Sequence, residues 1–322
     1  MRRLVLIVLL AVFVTPIKAE TWPSRPLTMV VPFATGGPMD AVARILQPAL
    51  SEALQQQVII ENVGGAGGMI GAARVAKSAP DGYQFVLGNV GTHAVSQTLY
   101  KTPFYNSTAD FAPVILVAEL SLVMVARKDL PVNSLQEFIA YAKANQKTMQ
   151  FASAGAGSAT HLGCALINAR IGVDVTHVPY RGGALAMQDL IARRVDYLCI
   201  DTPTALPQIE SGAVKPIAIL SRGRSPSLPG LASAHEQGLT GFEATNWSAF
   251  FLPKNTSASI VQKLHDATIA AMNDPVVQKR FKENGIDLVS DERRSSAYLA
   301  RFVTDEIAKW AGPIRSSGLV LE

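Results

Sequence analysis

LTMVVPFATGGPMD (residues 27–40) begins as an apolar run, breaks at Pro32 and reaches two adjacent glycines before Pro-Met-Asp. Residues 27–33 are apolar enough for a strand buried on both faces, and the pattern from Met39 onward has helical period. The loop between them therefore lies at the carboxyl end of a strand, where open α/β sheets bind their ligands. Gly36 and Gly37 permit positive φ and close approach. Pro38 suits a first helical position, where its missing N–H would be unpaired anyway. Exposed amides and the positive end of a helix dipole then suit an anion.

Outward from this unit, short β-branched runs alternate with helical patterns, which predicts βα units and a mostly parallel sheet. Further strands are expected at 58–61, 84–87, 114–118, 122–126, 149–152, 175–179, 197–200, 216–220 and 248–252. Helices are expected at 39–54, 134–144, 158–171, 184–193, 260–272 and 295–311. Ser134 with Glu137 supplies an explicit cap for one helix, and Asp291 heads the last helical region. At this length a single core stops growing and two units are expected. No linker separates them in series, so the chain is expected to cross between them more than once, at VILVAELSLVMVAR (114–127) and KPIAILSR (215–222).

A second strand-to-helix corner, FASAGAGSATHL (151–162), repeats the logic of the first. Ser153, Ser158 and Thr160 offer hydroxyls, the glycines offer amides, and His161 follows in the first turn. A carboxylate accepting three such bonds gains about 1.5–3 kcal/mol from each before association costs, so no Arg or Lys ion pair is needed. GNVGTHA (88–94) and VPYRGG (178–183) are further glycine-bearing strand ends. ENVGGAGGMIG (61–71) is not a dinucleotide fingerprint, because Ile70 stands where the third glycine would be; it reads as a turn that lets a helix pack closely.

Arg2 and Arg3, the apolar run 4–14 and Ala19 form the pattern of a secretory signal peptide, with an apolar core too short to span a bilayer. Residues 1–19 carry Arg2, Arg3 and Lys18 and no acid, so the formal charge of +4 falls to +1 after cleavage. That balance, with only short pairs such as Arg193-Arg194, excludes the basic face of a nucleic-acid binder. Cys164 and Cys199 are either two buried free thiols or a single bridge, which export permits. The histidines show no paired metal spacing, and there is no nucleophile elbow or metalloprotease motif. Neither a catalytic apparatus nor a metal or cofactor is expected. Trp247 and Phe250 are candidates for the far wall of a pocket or for the core.

Taken together, WPSRPLTMVVPFATGGPMD, PDGYQFVLGNVGTHA, FASAGAGSATHL, VTHVPYRGGALAMQDL, PTALPQI and EIAKW resemble the extracytoplasmic solute receptors of the tripartite tricarboxylate transporter, the Bug-type binding proteins. The resemblance runs in order over nearly the whole mature chain. It implies an α/β, two-lobed periplasmic-binding-protein fold of type II, each lobe a mostly parallel sheet flanked by helices. The expected division is a signal peptide over 1–19, lobe one from 20–124 and 224–322, and lobe two from 125–223. It implies a non-enzymatic, monomeric periplasmic receptor that closes on a small carboxylated solute and delivers it to a membrane permease. A solute sensor for a membrane signalling partner and, less well supported, a periplasmic enzyme on a small carboxylate are the alternatives.

The ligand-binding residues implied from lobe one are Phe33, Ala34, Thr35 and Gly36, with Gly91, Thr92 and His93. From lobe two they are Ser153, Ala154, Gly157, Ser158, Ala159 and Thr160, with Tyr180, Arg181 and Gly182, and Asp201. Three departures fall near the pocket. Ala34-Thr35 replaces two prolines common in relatives, Ala156 replaces a frequent polar residue, and Ile200 stands where relatives often carry the aspartate found here at 201.

Overall fold

The computed structural model describes residues 22–316 and 318–321. The expected signal peptide and its cleavage point at Ala19 lie outside them. In chain order the elements are β1 (Leu27–Val31), α1 (Pro38–Leu54), β2 (Val58–Asn62), α2 (Met69–Ala76), β3 (Gln84–Asn89), a π turn (Gly91–Val95), α3 (Ser96–Leu99) and β4 (Phe111–Arg127). There follow α4 (Leu135–Asn145), β5 (Gln150–Ser153), α5 (Ala159–Ile171), β6 (Thr176–Pro179), α6 (Gly183–Ile191), β7 (Tyr197–Asp201), α7 (Thr202–Glu210) and β8 (Val214–Ile219). The chain ends with β9 (Thr245–Pro253), α8 (Ala258–Asn273), α9 (Pro275–Glu283), β10 (Asp287–Leu288) and α10 (Ser296–Ser316).

The strands run in the order β2-β1-β3-β9-β4-β7-β5-β6, with β8 and β10 also pairing β4. Parallel ladders form at the two outer parts, β2-β1-β3 and β6-β5-β7, where helices connect successive strands. In the middle the ladders are antiparallel. The sheet is therefore mixed, its parallel character confined to the βα units that the alternating pattern revealed. β4 is the long member: residues up to Ser121 pair β9, and from Leu122 onward it pairs β7 and β8. The two runs expected on either side of Glu119 are thus one strand, because the polar Glu119 and Ser121 stay in the ladder and Glu119 accepts a bond from Arg293 Nη2 at 2.7 Å. A second passage lies beside the first, where Leu220 N donates to Leu122 O at 2.8 Å and Ala244 N to Leu220 O at 2.7 Å.

Ser134 Oγ accepts from Glu137 N at 3.2 Å, and Glu137 reaches back to Asn133 N, as its sequence suggests. The last helix differs. Asp291 opens a separate 3-10 turn, and Ser295 Oγ accepts the Tyr298 amide at 3.1 Å. α7 escapes sequence detection because Pro203 and Pro207 read as breakers, although Pro203 sits in the first turn where a missing N–H costs nothing. Trp247 and Phe250 belong to the core: the indole N–H donates to Glu306 Oε2 at 2.9 Å, and Phe250 meets Phe85 edge to face. Cys164 and Cys199 are bridged, tying α5 to β7, the two elements whose ends meet at the site below. Closing this loop stabilises the fold by about 2–4 kcal/mol through the unfolded state.

Candidate functional site

The two glycine corners face each other across a narrow cleft. One buried cavity there is lined by Phe33, Pro38 and Met39 from the first corner, Asn89 at the end of β3, Ala154, Ser158, Ala159 and Thr160 from the second corner, Gly183, Asp201 at the end of β7, and Asn246 of β9. Its free volume is about 10 Å³, room for roughly one water molecule. The walls are closed on one another, and any solute must part them.

Close contact holds the walls. Ala34 N donates to Arg181 O at 3.1 Å, and Tyr100 Oη lies 3.1 Å from Ala156 O and 3.3 Å from Ala66 O. Gly67 and Gly91 are where this approach demands glycine. A Cβ on Gly67 would fall 2.3 Å from Ala156 O, and one on Gly91 would fall 3.0 Å from Ala159 N. The run 61–71, read from sequence as a helix-packing turn, thus also docks its glycines against the second corner.

The first corner is organised by Asp40, a residue that sequence inspection passes over. Its carboxylate accepts the Gly36 amide at 2.9 Å, Arg44 Nε at 2.8 Å and Asn62 Nδ2 at 3.0 Å. Burial opposes its ionisation, but these donors outweigh burial and hold its pKa below the usual carboxylate value. The anion expected at this helix start is therefore the chain's own. Gly36 has spent its amide on Asp40, and Thr35 is exposed, with Oγ1 donating to Asn62 Oδ1 at 3.0 Å. Of this loop, Phe33 reaches the cavity and Ala34 makes the cross-cleft bond.

Gly91, Thr92 and His93 sit behind the cavity rather than in its lining. His93 lies stacked on Phe251 at 3.9 Å, with Nδ1 2.9 Å from Thr92 Oγ1. Burial lowers its pKa to about 3. Its neutral ring is packed as a core group, outside the cavity lining. The polar group that β3 does send to the cavity is Asn89, whose Oδ1 accepts the Thr92 amide at 3.0 Å, leaving Nδ2 as the donor for the cavity.

The second corner keeps more of its expected role, with changes. Thr160 Oγ1 accepts the Ala154 amide at 2.7 Å and lies 2.9 Å from Ser158 Oγ, which caps α5 by accepting His161 N at 3.2 Å. The Gly157 amide donates to His161 Nδ1, and the Gly155 amide to Ser153 Oγ. Ser153 Oγ lies 2.7 Å from His177 Nε2 and points away from the cavity. Most glycine amides are thus consumed in shaping the loop. What remains for an anion is the start of α5 itself: Ala159 and Thr160, whose first-turn amides no carbonyl of their own helix can satisfy, beside the Ser158 and Thr160 hydroxyls. Tyr180 Oη donates to Asp189 at 2.7 Å, the Arg181 side chain is exposed, and Gly182 packs on Ala34, so this turn contributes main-chain contact to closure and no side chain to the cavity.

Asp201 lines the cavity and Ile200 does not. It is fully buried and accepts Asn246 Nδ2 at 2.8 Å; burial raises its pKa to about 7 against the pull of that bond. Asn89, Met39, Pro38, Gly183 and Asn246 are lining residues that sequence reasoning missed. A buried asparagine inside an otherwise apolar strand, TNWSAF, was the available signal for Asn246. No Lys or Arg lines the cavity.

The model of the tripartite tricarboxylate transporter family receptor matches residues 42–319. The chain belongs to that family. Among curated relatives of this receptor, BugT of Bordetella pertussis is 35% identical over 311 residues, covering 95% of this chain and 94% of its own. A protein from the ttuE–ttuC' intergenic region of Agrobacterium vitis is 38% identical over 299 residues, 93% of this chain and 86% of its own. Among solved structures, the periplasmic binding protein BugD superposes with TM-score 0.90 at 38% identity, over 94% of this chain and all of its own. MatC of Rhodopseudomonas palustris, solved with malate, gives 0.89 at 37% identity over 91% and 100%. A second R. palustris protein, solved with adipate, gives 0.88 at 33% over 93% and 99%. The fold of this receptor is accordingly the two-lobed periplasmic-binding-protein fold.

Proposed function

We propose that this receptor captures a small carboxylated solute in the periplasm and delivers it to a membrane permease of the tripartite type. One carboxylate is held at the start of α5 by the Ala159 and Thr160 amides and the Ser158 and Thr160 hydroxyls. Lobe one comprises 20–124 and 224–322 and lobe two 125–223, with strand partners of β4 changing between Ser121 and Leu122. The single observation that carries the proposal is the unsatisfied, dipole-positive start of α5 opening into a cavity whose other walls come from β3, α1 and β9. Its malate- and adipate-bound neighbours support the ligand class. Closure follows because a bound solute contacts both walls only when they meet, and this differential contact shifts the population.

Calorimetric titration with a panel of mono-, di- and tricarboxylates, amino acids and aromatic acids tests the proposal. At least one acid is expected to bind with a dissociation constant of about 10 μM or below, near −7 kcal/mol, and to lower the radius of gyration in solution scattering. Binding without compaction, or no response to any acid, contradicts it.

A further inference from the structure

The cavity has two chemically opposite ends. At one, the start of α5 offers donors only. At the other, Asp201 and Asn246, each almost wholly buried, form a pair that the surrounding backbone fixes in one orientation. Trp247 N donates to Asn246 Oδ1 at 3.0 Å, so the amide must turn its Nδ2 toward Asp201 Oδ1, where it donates at 2.8 Å. Asp201 is thus built in as an acceptor. Asp201 precedes α7 without capping it through its side chain.

We infer that Asp201, held by Asn246, makes this receptor selective for small carboxylates that carry an ammonium or hydroxyl donor, and against acids of the same skeleton that lack one. The inference rests on the carboxylate reading of the α5 end. An unsubstituted acid leaves the Asp201 acceptor facing hydrocarbon, and the buried polar group then goes unpaired. A second carboxylate placed there meets Asp201 with no Lys or Arg in the lining to separate the charges. A donor resolves both problems, and an ammonium also neutralises the ionised Asp201. Asn89 Nδ2 remains to orient a further acceptor on the solute.

Asp201 faces no other titratable group in the cavity: Asn246 packs against it from β9, Leu122 pairs with it from β4, and the remaining lining is apolar, amide or hydroxyl. Its ionisation therefore imprints directly on affinity. With its pKa raised to about 7, going from pH 6.5 to 8.5 increases the ionised fraction roughly fourfold. Affinity for an amino acid should rise by that factor, whereas affinity for an unsubstituted acid should fall.

The test is calorimetric titration of the full mature receptor with two matched series: succinate, malate and aspartate, and butyrate, 2-hydroxybutyrate and 2-aminobutyrate. In at least one series a donor-bearing member is expected to bind ten times more tightly than its unsubstituted parent. Asp201→Asn should reduce that ratio to below three, and the pH profile of the unsubstituted receptor protein gives an answer that needs no variant. Equal or tighter binding of succinate or butyrate, opposite pH slopes to those stated, or discrimination that survives in Asp201→Asn each overturns the inference and leaves the receptor reading standing. Failure of all six to bind overturns the inference too; failure of the whole carboxylate panel removes the receptor reading beneath it.

Discussion

Ser158 and Thr160 do two jobs with one pair of hydroxyls, and that couples binding to stability. Ser158 caps α5 through His161 N, and Thr160 Oγ1 fixes the Ala154 amide, so neither hydroxyl is a passive reserve awaiting a ligand. Ser158→Ala removes the cap at a cost of about 0.5–2 kcal/mol and also one donor to the carboxylate. We expect at least tenfold weaker binding in calorimetry together with a melting temperature a few degrees lower; unchanged binding would remove Ser158 from the site. Residue chemistry was legible at the start of α4, where the capping partner lies close by in sequence. It was not legible for Thr35 and His93, whose partners Asn62 and Phe251 arrive from distant strands. Asp40 was missed as well, although Gly36 and Arg44 lie only four residues to either side and only Asn62, on β2, comes from farther along the chain. One buried carboxylate four residues beyond Gly36 converts an anion site into a scaffold, and only the folded contacts reveal it.

β5, α5 and β6 form a unit that holds two imidazoles against each other. His161 and His177 stack at 4.1 Å, the first receiving the Gly157 amide on Nδ1 and the second lying 2.7 Å from Ser153 Oγ. Burial lowers the pKa of His161 to about 3, with the His177 charge adding to it, and burial lowers that of His177 to about 4. His93 is lowered likewise. A depressed folded-state value means the unfolded chain binds more protons below its own value near 6.5, so stability is present above that pH and is lost as pH falls. Asp201, raised to about 7, acts in the opposite sense between its unfolded value near 3.8 and 7. Three histidines less one aspartate leave a net uptake of about two protons on unfolding at pH 5.5. Denaturant titrations of the empty receptor between pH 6 and 5 should show stability falling with pH at that slope, and a flat profile would contradict the buried, neutral imidazoles. Most elements were legible because their periods are strong. The exceptions are α7, disguised by its prolines, the short α2, α3, α9 and β10, and the unity of β4, disguised by Glu119 and Ser121.

On the proposed lobe division, two passages of chain, along β4 and beside Leu220, join the lobes, and the contacts across the cleft are breakable. Tyr100 offers the most direct of these contacts to test: its hydroxyl meets Ala156 O across the cleft, outside the cavity lining. Losing one such bond costs about 0.5–1.5 kcal/mol. Tyr100→Phe should therefore weaken any solute roughly twofold to tenfold through faster release, seen in stopped-flow kinetics; an unchanged release rate would show that the bond does not hold the closed state. The opposed corners could be argued from sequence, whereas the way 61–71 docks on the second corner could not, since Gly67 and Gly91 are ordinary loop and helix glycines until the second corner packs against them. The central claim is that the start of α5 holds a carboxylate between closing walls. Mass spectrometry of the small molecule released on denaturing natively purified receptor tests it most directly: an acid present at one per chain, and lost from the Ser158→Ala, Thr160→Ala double variant, is the predicted result, and a molecule without a carboxylate, or an acid retained in full by the double variant, would contradict it.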